Sequence, residues 1–184
     1  MVQDHQIMKS VKDGDIKNLG QLFERYSKRL YNYFLLQIKD PLKSEDLVQN
    51  VFYNMLKYRH TYKDNGNFKV WMYAIARNES INYFKNRKIS AADMDSDLVT
   101  DNDNNPENDL THKRDIGYLK TALAKISPDK KELIVLNRFD GLHYEQIAQI
   151  TGCTVGTIKV RMYRAIKELT KQYLKITGES LDEV

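Results

Sequence analysis

"YEQIAQITGCTVGTIKVRMYRAIKEL", residues 144–169, decides how the fold is read. It divides into a short apolar-periodic stretch, a tight turn at Gly152 and a longer amphipathic stretch opened by Thr154. Glycine lets the chain enter the left-handed region that ends a helix. A threonine just ahead of a periodic run is a suitable N-cap. At about 100° per residue, Val155, Ile158, Met162, Ala165, Ile166 and Leu169 fall on one side of the second helix. Gly156, Val160, Tyr163, Arg164 and Lys167 lie opposite, with Lys159 and Arg161 beside them. Two helices joined by a short glycine-containing turn form the layout of a DNA-binding helix-turn-helix. Its basic outer face suits phosphates, and a few side chains can reach base edges. Helical hairpins with glycine turns also occur where no DNA is bound, so layout alone does not decide. Val160 is out of place on that face. It either packs against another part of the protein or meets the C5-methyl of thymine in a major groove.

Outward from this stretch the chain continues to read as helix. "ISPDKKELIVLNRF" offers Ser127 as an N-cap and Pro128 after it. In the N-terminal half, Leu19, Leu22, Phe23, Tyr26, Leu30, Tyr33 and Phe34 follow helical spacing. "DPLKSEDLVQNVFYNMLKY" starts at Asp40 as N-cap with Pro41 at the first helical position, and Leu42, Val48, Phe52 and Leu56 are expected to be buried. "TYKDNGNF" is a turn centred on Asn-Gly. A third helix is expected from about Phe68 to Lys88, its apolar stripe formed by Val70, Trp71, Ala74, Ile75, Ile81 and Phe84. No strand-like alternation of any length is present. The expected fold is all-α, with two small helical domains at 1–88 and 113–184 joined by a flexible acidic linker at 89–112.

Charge supports that division. Residues 1–88 carry a net +7, residues 89–112 carry −7 with no Lys or Arg, and residues 113–184 carry +4. Two basic blocks suit a polyanion such as nucleic acid, although solvated helix faces also carry such charge. The acidic segment lacks aromatic residues and reads as a disordered tether. No apolar run is long enough to cross a membrane, and no apolar secretory segment opens the chain. One cysteine, Cys153, excludes an internal disulfide and suits the reducing cytoplasm. His5, His60, His112 and His143 are dispersed, and no glycine loop for phosphate is present. Neither catalysis, a cofactor nor a metal site is expected.

Three segments together resemble one family. "SEDLVQNVF" is similar to an acidic-Asp-Leu-x-Gln-x-x-Phe segment, "VWMYAIARNESINYFKNRK" to a Trp-containing helix ending in basic residues, and "LNRFDGLHYEQIAQITGCTVGTIKVRMYRAIKEL" to a C-terminal helix-turn-helix. In this order and spacing they resemble the extracytoplasmic-function (ECF) sigma factors of the sigma-70 family, over about residues 10–88 and 114–171. The resemblance implies a non-enzymatic subunit that binds core RNA polymerase, recognises promoters and helps open DNA. It implies contact with the β′ clamp helices through Asp46, Gln49 and Phe52, with the C-terminal domain on the β flap. It implies contact with the −10 element through the loop and third helix: Tyr62, Asn65, Asn67, Asn78, Asn82, Tyr83, Arg87 and Lys88. Asn78 stands near the apolar stripe, so a buried amide and a DNA contact are both open. The family usually has Asp where Asn82 stands. At the −35 element it implies Thr157, Lys159, Val160, Arg161, Tyr163, Arg164 and Lys167. Small Ser is frequent in the family at the place of Val160. An anti-sigma partner is a further implication, with no insertion of this chain into a membrane.

The resemblance places the two DNA elements about two helical turns apart, each roughly 34–36 Å. A flexible linker of this length has a root-mean-square span of roughly 27 Å and a fully extended reach of about 80 Å. It bridges the elements only when stretched over a surface that holds the domains apart. A free-standing helix-turn-helix regulator is the competing reading, and it leaves "SEDLVQNVF" and the third helix unexplained.

Overall fold

The computed structural model describes residues 3–63, 66–91 and 110–178, apart from the side chains of 88–91 and 110–113. Within these residues the structure consists of helices and contains no strand. The N-terminal half holds α1 (Asp4–Lys12), α2 (Leu19–Ile38), α3 (Pro41–Lys57) and α4 (Phe68–Ala91). The C-terminal half holds α5 (Leu110–Lys125), α6 (Pro128–Ile134), α7 (Tyr144–Thr151) and α8 (Val155–Thr177). α4 and α5 each run three residues into the expected linker, and 92–109 lie outside the described residues.

α2 is amphipathic and buries Leu22, Tyr26, Leu30, Tyr33, Phe34 and Ile38 against α3, α1 and α6. Phe23, expected in this stripe, is 44% exposed and leans on Phe52 with ring centroids 4.9 Å apart. Asp40 caps α3, accepting Lys43 N–H at 3.1 Å, and Pro41 occupies the first turn, where its missing N–H costs nothing. Leu47, Val48, Val51, Phe52 and Met55 face inward from α3. Leu42 does not: it is 74% exposed. It lies in the first turn, on the face that carries Asp46 and Gln49 away from α2.

α4 departs furthest from expectation. Its buried residues are Phe68, Met72, Tyr73, Ala76 and Ser80, whereas Val70, Trp71, Ala74, Ile75 and Phe84 are half-buried and Ile81 is exposed. The first two turns are apolar almost all round, so periodicity selects no face. Packing selects it instead, because α4 is covered by α3 and by α7.

In the C-terminal half, α6 continues through a wide π-type turn, Val135–Phe139, that closes on Asp140 N–H to Val135 C=O at 3.1 Å. Leu133, Ile134, Leu136, Leu142, Ile147, Ile158, Met162 and Ala165 make the core on which α7 and α8 sit.

Candidate nucleic-acid interface

The turn between α7 and α8 follows the local chemistry. Gly152 ends α7 with φ 68°, in the left-handed region. Thr154 caps α8: its Oγ1 accepts Thr157 N–H at 3.2 Å and lies 2.9 Å from the Thr157 hydroxyl. Thr157 is therefore half-buried and engaged in the cap. α8 then turns Ile158, Met162 and Ala165 inward and leaves Lys159, Val160, Arg161, Tyr163, Arg164 and Lys167 exposed. Val160 is 50% exposed and Tyr163 68%. An apolar and an aromatic side chain thus stand among four cations on one outward face. Arg161 Nη1 lies 3.5 Å from Cys153 Sγ, which ties its base to the turn.

The second region is the loop before α4 and the exposed side of α4. Tyr62 is corrected here: it is 1% exposed, so it is not a surface for stacking a base. Its hydroxyl donates to Gly66 C=O at 3.1 Å and lies 2.9 Å from His5 Nδ1, while its ring meets Trp71 edge-on. Its carbonyl accepts Lys12 Nζ at 2.9 Å. Tyr62 is the post to which α1 ties the loop. The role of α1 gave no sequence signal, because His5 and Lys12 are far from the loop along the chain. Asn65 lies outside the described residues. Asn67 is exposed, and its Oδ1 accepts Val70 N–H at 3.3 Å, so it caps α4. Asn78, for which a buried amide was open, is exposed. Asn82 and Arg87 are exposed with it, while Tyr83 is half-buried against Phe84. The side chain of Lys88 lies outside the described residues.

The third region is the outer side of α3. Asp46 and Gln49 are both exposed and share a face, Asp46 pairing with Lys43 at 3.2 Å. Phe52 is corrected: it is 6% exposed and belongs to the core, so it offers no surface to a partner as it stands. Leu42 and Tyr53, 74% and 63% exposed, complete the stripe in its place. The spacing of 42, 46, 49 and 53 is legible in the sequence, but an apolar Leu42 reads there as a core residue.

The structure places basic and apolar groups on α8, amides and arginine on α4, and a mixed stripe on α3. Comparison with known proteins gives these faces a family. The Sigma-70 region 2 model matches residues 22–89, and the Sigma-70 region 4 model matches residues 116–169. The chain is 24% identical over 168 residues to the ECF RNA polymerase sigma factor SigX of Bacillus subtilis, covering 88% of this chain and 87% of SigX. It is 24% identical over 169 residues to the ECF RNA polymerase sigma factor BldN of Streptomyces coelicolor, covering 90% of this chain but only 64% of BldN. The structure is similar to that of the sigma factor RpoE from Bartonella quintana, determined in complex with the anti-sigma factor NepR. The TM-score is 0.69 at 27% identity, over 85% of this chain and 96% of RpoE. The fold is that of a sigma-type initiation factor.

The chain belongs to the sigma-70 family, in its ECF group of RNA polymerase sigma factors. It directs the polymerase to promoters and takes part in transcription initiation.

Proposed function

We propose that the three exposed faces divide the work of initiation. The α3 stripe of Leu42, Asp46, Gln49 and Tyr53 binds the clamp helices of the polymerase β′ subunit, and the C-terminal half engages the β flap. The exposed side of α4, with Asn78, Asn82 and Arg87, and the loop that Asn67 closes engage the −10 element. An unstacked base is captured there, which offsets the few kcal/mol needed to extrude it. Lys159, Arg161, Arg164 and Lys167 hold phosphates around the −35 element, while Val160 and Tyr163 reach base edges. The chain performs no catalysis of its own and works in the cytoplasm with the polymerase. An anti-sigma factor is a fitting regulator, given the complex in which the similar RpoE was determined.

The α3 stripe carries this reading. A regulator that binds an operator alone has no use for an exposed Leu and Tyr flanking Asp46 and Gln49 on a helix far from its helix-turn-helix. Copurification with core polymerase tests it. The wild-type chain is expected to bind, and Asp46→Ala with Gln49→Ala to weaken binding at least tenfold while the helical spectrum is unchanged. A chain that binds promoter DNA but no polymerase would be a free-standing regulator.

A further inference from the structure

His5 and Lys12 stand about two turns apart on α1, so they share one face of the helix. Both reach Tyr62. Lys12 Nζ donates to its carbonyl at 2.9 Å, and His5 Nδ1 lies 2.9 Å from its hydroxyl. The direction of the second bond is fixed. A phenol has one proton to donate, and that of Tyr62 goes to Gly66 C=O at 3.1 Å. His5 Nδ1–H is therefore the donor to the Tyr62 oxygen. A chain of bonds runs from His5 of α1 through Tyr62 to Gly66, the residue before Asn67.

Each end of this chain is anchored. Ile7, Met8 and Val11 bury α1 in the core. Asp4 binds Arg25 at 2.7 Å and the Tyr26 hydroxyl, both on α2. At the other end, Gly66 N–H donates to Lys63 C=O at 2.8 Å. A Cβ at position 66 would stand 2.9 Å from that oxygen, so the turn closes this tightly only on glycine. Asn67 follows and caps α4. The Trp71 ring meets Tyr62 edge-on at 5.2 Å, and its Nε1 donates to Thr61 Oγ1 at 3.4 Å. Tyr62 is thus held at its ring, its hydroxyl and its carbonyl.

Phenylalanine would fill the same buried space. The hydroxyl adds what packing cannot, a set distance between α1 and the residue that leads into Asn67. The Lys12 bond is charge-assisted, so it is among the stronger ones available to a backbone carbonyl. A receptor that becomes ordered only on binding loses affinity to that ordering, and one held in advance does not.

We propose that His5 and Lys12 are positioning residues for promoter opening: through Tyr62 they hold the loop before α4 in the shape that receives an unstacked −10 base. This rests on the −10 role proposed for that loop. Trp71 is the only tryptophan of the chain and reads the brace in the free protein. Acrylamide quenching of its fluorescence should rise in Tyr62→Phe, which keeps the ring, and in Lys12→Met. The function is read in the complete holoenzyme. The probe is the single-stranded non-template −10 strand of a promoter the chain uses, with each base replaced in turn by an abasic site. The wild type should lose most affinity where the captured base is missing. Tyr62→Phe, His5→Phe and Lys12→Met should each cut that base-to-abasic ratio by about fivefold, the worth of one hydrogen bond. Core binding and affinity for the abasic strand should stay as in the wild type. His5→Gln, which keeps an N–H donor, should retain most of the ratio. General loss of stability would lower both affinities together and leave the ratio where it was. Unchanged quenching in Tyr62→Phe and Lys12→Met would overturn the brace. Raised quenching with an unchanged ratio would overturn the positioning role and leave the −10 reading standing. A wild type that loses no affinity at any abasic position would fail the −10 reading, and the positioning role with it.

Discussion

Val160 stands half exposed between Lys159 and Arg161, with the buried stripe of α8 on the far side of the helix. Packing within the chain therefore does not account for it, and its exposure leaves it available to a groove. Val160→Ser should lower preference for thymine at one −35 position roughly fourfold, the worth of one buried methyl at about 0.8 kcal/mol. Selection from randomised −35 sequences reads this, and an unchanged profile would assign base choice to the basic neighbours and Tyr163. Phe52 makes the opposite case. Its place in a family-like motif suggested a contact surface, yet it is buried against Phe23. Phe52→Ala should cost about 3–5 kcal/mol of stability through the cavity it leaves. Chemical denaturation measures that loss. A variant of undiminished stability that no longer binds polymerase would restore Phe52 to the interface.

At the scale of elements, legibility in the sequence followed amphipathicity. α8 has one apolar and one basic face, so its phase, its Thr154 cap and the Gly152 stop were readable in advance. Thr154→Ala should destabilise the C-terminal half by about 1 kcal/mol through loss of the cap. Thermal melting checks this, and no change would mean that Thr157 or solvent replaces the cap. α4 shows why the rest was not readable. Phe68 to Ala76 is nearly continuous apolar sequence, and its face is chosen by two partners that only the tertiary fold supplies. The loop before α4 was likewise readable as a turn. Its brace was not, because His5 and Lys12 reach Tyr62 from a helix some fifty residues earlier. Leu42 and Tyr53 are illegible for a different reason: an apolar side chain on an exposed helix face resembles a core residue until the helix is packed.

For the whole molecule, composition and charge gave two basic helical blocks around an acidic segment, and helices fill both blocks. The sequence carried no sign that the blocks would meet through Glu132, since its partners Tyr33 and Arg77 are distant in the chain and polar groups there read as surface. This chain gives core polymerase its promoter. Transcription of a library of genomic fragments by core RNA polymerase, with and without the purified chain, measures it most directly. Discrete start sites that share −10 and −35 sequences should appear only when the chain is added. Core binding without any chain-dependent start, or no binding at all, would contradict it.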